Sequence, residues 1–250
     1  MYVGLRDIKR FTLAASDGDI GAIKDFLFDD RSWAVRYMHA DTRKWLPMGE
    51  KVLISPMSLR RIDSEEEKIH VLLSMQQVKD SPSIDEHQTV SREYEALLSE
   101  YFGYGFYWAG QDVWGEYAHP MDLAQSKRPS MKDFEDGDKS TIPRNHLRSI
   151  KELQGYNIQA KDDTFGLIYD LILDTDNWVV QYIVVDTHRL LPGGKQVLIN
   201  PQHIDSINWL EHNVSSHLSA ENIEHCPEYK PEFLNTQDYL IKVGKKLTSI

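Results

Sequence analysis

Between Trp33 and Asp41 the side chains alternate. Trp33, Val35, Tyr37 and His39 share one face of an extended segment, and Ala34, Arg36, Met38 and Ala40 share the other. Short apolar runs flank this strand. Phe11 to Ala15 and Ile20 to Phe28 are separated by Ser16-Asp17-Gly18-Asp19. Asp-Gly between two apolar runs predicts a hairpin with a type I′ turn, which needs positive φ at both central residues. Gly21 inside the second run predicts a bulge or a close backbone approach. After a loop marked by Pro47 and Gly49, Val52 to Ile54 form a strand that Pro56 ends. Two more short strands fit Leu59 to Ile62 and Ile69 to Leu73. Many short strands with frequent turn signals predict a mainly β fold, a small barrel or sandwich.

The period then becomes helical. Ser74-Met75-Gln76-Gln77 has the form of a capping box, and Pro82 ends that short helix. Ser91 is placed to cap a helix over Arg92 to Phe102, with Glu93 and Glu95 in its first turn. Tyr94, Leu97, Leu98 and Tyr101 fall on one stripe at i, i+3, i+4, i+7, which predicts one apolar face against a partner.

The same pattern occurs twice at a constant offset of 145. From Asp7 to Ile62, 19 of 56 residue pairs are identical, so the chain is an internal duplication. The correspondence continues through Ser74/Ser219, Pro82/Pro227 and Tyr94/Tyr239, so each unit is a β domain followed by one or two short helices. A period this long means duplicated domains rather than a solenoid. The expected division is 1–102, an intervening segment 103–145, and 146–250. In the second copy Trp178 to Asp186 is apolar on both faces, which predicts an extra covering layer or an interface there.

The intervening segment has two parts. Tyr104, Phe106, Tyr107, Trp108 and Trp114 lie among glycines. They read either as an interaction loop, since aromatics carry interface energy, or as a packed plug. Leu123 to Asn145 is polar and reads as a flexible linker.

Charge and chemistry narrow the function by exclusion. The net charge of −11 at pH 7 argues against direct nucleic-acid binding, where cations must neutralise phosphates. The single cysteine, Cys226, excludes an intrachain disulfide, and no apolar run reaches membrane-spanning length. With no leader-like N-terminus, a cytoplasmic location is expected. Asp17, Asp25, Asp29 and Asp41 recur as Asp162, Asp170, Asp174 and Asp186, at turns and strand ends where aspartate bonds local backbone. His212, His217, His225 and Cys226 match no zinc spacing. No phosphate-binding loop, dinucleotide fingerprint or nucleophile elbow is present, so no catalytic, cofactor or metal residue is assigned. Arg36 and Trp45 stand alone, their counterparts being Gln181 and Leu190.

Asp17-Gly18, Ile20-Gly21, Asp25, Asp29, Trp33 to Tyr37, Asp41-Thr42, Leu46-Pro47, Gly49 and Val52 to Pro56 together resemble the PRC-barrel domain. This domain is shared by the cytoplasmic part of the photosynthetic reaction-centre H subunit and a bacterial ribosome-maturation factor. The second copy carries Gly166, Asp170, Asp174, Trp178, Tyr182, Asp186, Pro192, Gly194 and Pro201, and departs at the hairpin, where Asp162-Asp163-Thr164 stands. The resemblance implies two small antiparallel barrels and a non-enzymatic role in docking or assembly, with no catalytic residues to carry over. The expected function is an interaction or scaffold protein whose partner is another protein, with its oligomeric state open. A ribosome- or RNA-processing-associated factor, and a ligand-binding or enzymatic cleft between the barrels, are the alternatives.

Overall fold

The computed structural model describes residues 1–42, 50–85, 89–126, 146–162, 164–188 and 194–248. Trp45, the Pro47 and Gly49 loop, Asp163, Pro192 and the linker beyond Ser126 lie outside the described residues. The chain divides into two compact units. The N-unit is Lys9–Ser149; the C-unit is Met1–Ile8 together with Ile150–Ile250. Each is mainly β, a curled sheet of half-barrel form with few helices. No helix among the described residues is long and apolar enough to cross a membrane.

The chain opens with an arm, β1 (Tyr2–Gly4) and α1 (Leu5–Ile8), that belongs to the C-unit. The N-unit sheet follows: β2 (Thr12–Ala14), β3 (Asp19–Asp29), β4 (Val35–Ala40), β5 (Glu50–Ile54), β6 (Leu59–Asp63) and β7 (Lys68–Val71). After α2 (Met75–Lys79) come β8 (Ile84–Asp85), α3 (Arg92–Phe102), α4 (Pro120–Gln125) and β9 (Leu147–Ser149). The order is β6-β7-β2-β3-β4-β5-β8, with β9 beside β3. The pairing is not wholly antiparallel as expected, because β2 and β7 run parallel where the sheet curls back on itself.

The C-unit repeats this plan with α5 (Ile150–Leu153), β10 (Asn157–Gln159), β11 (Thr164–Asp174), β12 (Val179–Asp186), β13 (Gln196–Ile199), β14 (Ile204–Asn208) and β15 (Asn213–Ser216). Two helices close it, α6 (Ala220–Glu224) and α7 (Gln237–Thr248). The order is β13-β12-β11-β10-β15-β14, with β1 beside β11.

The arms were not foreseen. The first arm, β1 and α1, is the repeat equivalent of β9 and α5, and each arm strand pairs within its own unit with a strand of the other sequence repeat. Tyr2, Val3 and Gly4 pair with Asp174, Leu173 and Ile172. At the same offset, Leu147, Arg148 and Ser149 pair with Asp29, Phe28 and Leu27. The unit boundaries therefore differ from 1–102 and 146–250, and the aromatic segment is part of the N-unit rather than a connector.

Turn chemistry explains the repeat's identities. Asp29 Oδ1 accepts from the amides of Arg31 and Ser32, and Trp33 donates its amide to the Asp29 carbonyl. Trp33 thereby holds a φ of 59°, and Trp178 repeats it at 57° over Asp174. Asp17 caps α2 through the Met75 amide at 2.7 Å, and Asp162 caps α6 through that of Ala220 at 2.7 Å. Asp29 thus serves its own turn, as expected of turn aspartates, whereas Asp17 and Asp162 bond backbone 58 residues away.

Ser74 with Gln77 forms the expected capping box, repeated by Ser219 with Asn222. The hairpin at Asp17-Gly18 is real but its turn is not type I′. Neither residue has positive φ; a wider loop forms instead, closed by the Ala15 amide donating to the Gly18 carbonyl. Gly21 does mark a close approach. Its φ is 145°, and a side chain there would collide with the Asp41 carbonyl oxygen.

The covering layer lies on the other copy from the one predicted. Every residue of β4 is buried, whereas β12 is only partly so. Tyr37 and Leu53 pack against Val90, Tyr94 and Leu98, so α3 covers that face of the N-unit sheet.

Leu5 and Ile8 are buried at 1% and 2% exposure, and they anchor the arm in the C-unit. Leu5→Ala or Ile8→Ala should each cost about 2–5 kcal/mol, the range for buried Leu or Ile truncations. Hydrogen exchange should show lost protection in β10, β11 and β15 with β2 to β7 unchanged. Equal loss in both sets would contradict the assignment of the arm.

Candidate functional site: a buried arginine–aromatic network and an exposed helix face

The aromatic segment is packed rather than presented. Phe106, Tyr107 and Trp114 are buried, and Tyr104 and Trp108 are partly buried. As an interaction loop it therefore offers parts of two rings, not five. The rings are organised by two cations. Arg36, on β4, sits 3.9 Å from the Tyr107 ring centre and 4.5 Å from that of Trp114. It donates to the Val113 carbonyl at 2.6 Å and to Ser32 Oγ at 3.2 Å. Arg92, the first residue of α3, lies 4.3 Å from the Trp108 ring centre. Such contacts are strongest when desolvated, as here.

Glu95 closes the network. Arg92 Nη1 donates to Glu95 Oε2 at 2.7 Å and to the Tyr107 hydroxyl at 2.8 Å. The Tyr107 hydroxyl donates to the two Glu95 oxygens at 3.0 and 2.9 Å. Helical spacing puts Arg92 and Glu95 on one turn. Glu95 has no exposed surface, and burial pushes its carboxyl up to about 7 against the pull of Arg92. Beside it the Tyr37 hydroxyl and Arg36 Nε are buried with no hydrogen-bond partner among the described residues. Burial, and Glu95 nearby, drive the Tyr37 phenol well above its ordinary value. A sealed carboxylate, two guanidiniums and tyrosines could move a proton in principle. With Glu95 fully enclosed, their role is to fix α3 and the aromatic segment on the sheet.

The C-unit lacks this network: Gln181, Gln237 and Leu240 replace Arg36, Arg92 and Glu95. Sequence reading singled out Arg36 as unpaired between copies. It missed Arg92 and Glu95, although a charged pair at i, i+3 absent from the second copy was a usable signal.

What α3 turns outward is apolar. Tyr94 and Leu98 face the sheet, but Leu97 and Tyr101 are 52% and 41% exposed. The predicted single stripe is thus split between two sides of the helix. Tyr101 meets Phe102 edge-on at 5.0 Å, and Phe102 stacks on Tyr104 at 5.8 Å, which extends the ridge. In the C-unit, a groove of about 610 Å³ lies along α7, lined by Phe233, Tyr239, Lys230, Lys242 and Asp238 among others.

The remaining candidates disperse. His212 stacks on Tyr156 at 4.9 Å, His225 Nδ1 lies 2.7 Å from its own helix's Glu221 carbonyl, and Cys226 is buried with its thiol pushed up to about 12. Asp170 is the second buried acid. It accepts from the amides of Leu171 at 2.8 Å and Arg6 at 3.1 Å, both on Oδ1. Its repeat equivalent Asp25 receives the Ser149 hydroxyl at 2.5 Å on Oδ2, where the C-unit has Gly4 in place of serine. Burial pushes the Asp170 carboxyl up to about 7.

Glu95→Leu alone strands Arg92 in the interior and should cost about 3–5 kcal/mol. The double change Arg92→Gln, Glu95→Leu, which copies the C-unit, should cost less. Denaturation followed by tryptophan fluorescence reads this, since Trp108 and Trp114 flank the arginines. For Asp170, the folded protein holds its proton from about pH 4, the unfolded value, to about 7. C-unit stability is therefore greatest below pH 4 in this respect, and falls as pH rises to 7 by up to roughly 4 kcal/mol. Asp170→Asn should flatten that slope in melts across pH 4 to 7. Set against known proteins, the chain matches no family model and no curated sequence, so its site is read from its own residues.

Proposed function

We propose that this chain is a non-enzymatic interaction module built from duplicated PRC-type barrel units, and that the outer face of α3 is a docking ridge for another protein. One observation carries the reading: a helix fixed from beneath by buried charge and aromatic packing leaves Leu97 and Tyr101 half exposed. A rigid helix presenting apolar anchors one turn apart is a recurring protein-recognition device. The buried aromatic segment serves as its foundation. The duplication, the turn aspartates and the PRC-barrel resemblance all favour assembly over catalysis. The charge of −11 favours a protein partner over nucleic acid.

The test is a crosslinked pull-down from the native cells with and without ribonuclease, beside the variant Leu97→Glu, Tyr101→Glu. The reading expects one defined protein that survives ribonuclease and is lost with the variant. Capture that ribonuclease abolishes, or that the variant leaves intact, would overturn it.

A further inference from the structure

We propose that His203 and His217 form a two-imidazole site on the C-unit for a first-row divalent cation such as Zn²⁺, with Asp205 orienting it. β14 and β15 are antiparallel, and their end pair is Ile204 with Ser216. One residue further, His203 and His217 meet across the strands, with His203 Nδ1 3.2 Å from His217 Nε2. Two nitrogens at 2.0–2.1 Å from a tetrahedral zinc stand about 3.3 Å apart. The hydrogen-bonded pair thus has the nitrogen spacing that one cation needs. Its rings are tilted by 66°, so this is not stacking.

The outer nitrogen of His217 is fixed as such a site requires. Asp205 Oδ1 lies 3.0 Å from Nδ1, and a carboxylate there holds the proton on that nitrogen and turns the Nε2 lone pair toward His203. His203 is 9% exposed, and its Nε2 is buried with no hydrogen-bond partner among the described residues. With no ion bound, the His203 Nδ1 proton is donated to the His217 Nε2 lone pair, so an ion would take the place of that proton. His217 is half exposed, which leaves an approach for the ion and room for water ligands.

The repeat shows that the fold does not need this trio. The equivalent positions in the N-unit are Ser58, Arg60 and Leu72, with the Ser58 hydroxyl donating to the Ser55 carbonyl at 2.6 Å. Three positions that come together in space differ together, which marks a local property of the C-unit. Sequence reading assigned no metal and considered His217 with His212, His225 and Cys226. It missed His203 because only the strand register brings the two histidines together. Imidazole ligands select zinc, nickel or copper over magnesium or calcium.

The test titrates the intact chain with ZnCl₂ at neutral pH, followed by calorimetry and by the histidine ring resonances. One equivalent should bind, and the resonances of His203 and His217 should shift together. MgCl₂ should move neither. His217→Leu and His203→Ser, the residues the other copy uses, should remove the binding. Asp205→Asn should weaken it about 10–100-fold, as second-layer partners do. His70→Ala, in the partly buried Asp63, Glu66 and His70 group, should change nothing. His217 is half exposed, so its variant keeps the fold even if His203→Ser does not. Absence of saturable shifts at the two rings, or binding that survives His217→Leu, would overturn the proposal.

Discussion

Each sheet is built on a strand that outruns its neighbour. β3 and β11 have eleven residues each, but the strands that begin their hairpins, β2 and β10, have three. β2 covers β3 from Asp19 to Ala22, and β4 lines the other side. The edge from Leu27 to Asp29 would then carry open amides and carbonyls, a liability in any sheet. β9 covers that edge, and β1 covers Ile172 to Asp174 in the C-unit in the same register. The arms follow from this length mismatch, which the duplication preserved in both copies.

Given two copies of one frame, differences between them locate what the frame itself does not require. The turn aspartates, the two tryptophans at positive φ and the helix caps are common property, and they are explained by backbone hydrogen bonding within each unit. Arg36, Arg92 and Glu95 belong to the N-unit, His203, Asp205 and His217 to the C-unit. A buried arginine–carboxylate pair is weak as a source of stability but strong as a constraint on geometry, since neither charge tolerates losing the other. Here it holds α3 and the aromatic segment in one position. The His203 and His217 rings instead meet each other and Asp205 at the end of β14 and β15.

Much of the frame was legible because it rests on short-range chemistry. Gly21, the capping box at Ser74, the N-cap at Ser91 and the strand limits near Pro56 are read from a few neighbouring residues. The misreadings all involve distance in sequence. An extra covering layer or an interface was expected on the second copy, but β4 is the strand wholly buried, with Arg36 under Tyr107 and Trp114 more than 70 residues on. Alternation records polarity, and a cation over aromatic rings hides polarity in an interior. Asp17-Gly18 was expected to make a type I′ turn, but the Asp17 carboxylate is committed to the Met75 amide, 58 residues away. The arms were missed because three residues are too few for a period to register.

The burial of the aromatic segment sharpens the functional reading. Had Phe106, Tyr107 and Trp114 been exposed, the surface would hold far more apolar area than a monomer tolerates, and any partner would be expected there. Instead, these rings stabilise the N-unit, and Leu97 and Tyr101 on α3 stay half exposed, as does Leu72 just after β7. Tyr101 ties α3 to α2 through its hydroxyl on the Gln77 carbonyl at 3.0 Å, but Leu97 faces outward on a helix whose Tyr94 and Leu98 are already packed. Residues whose apolar character the fold does not use are the ones a partner is best placed to explain. The docking proposal rests on that surplus and not on the type of barrel.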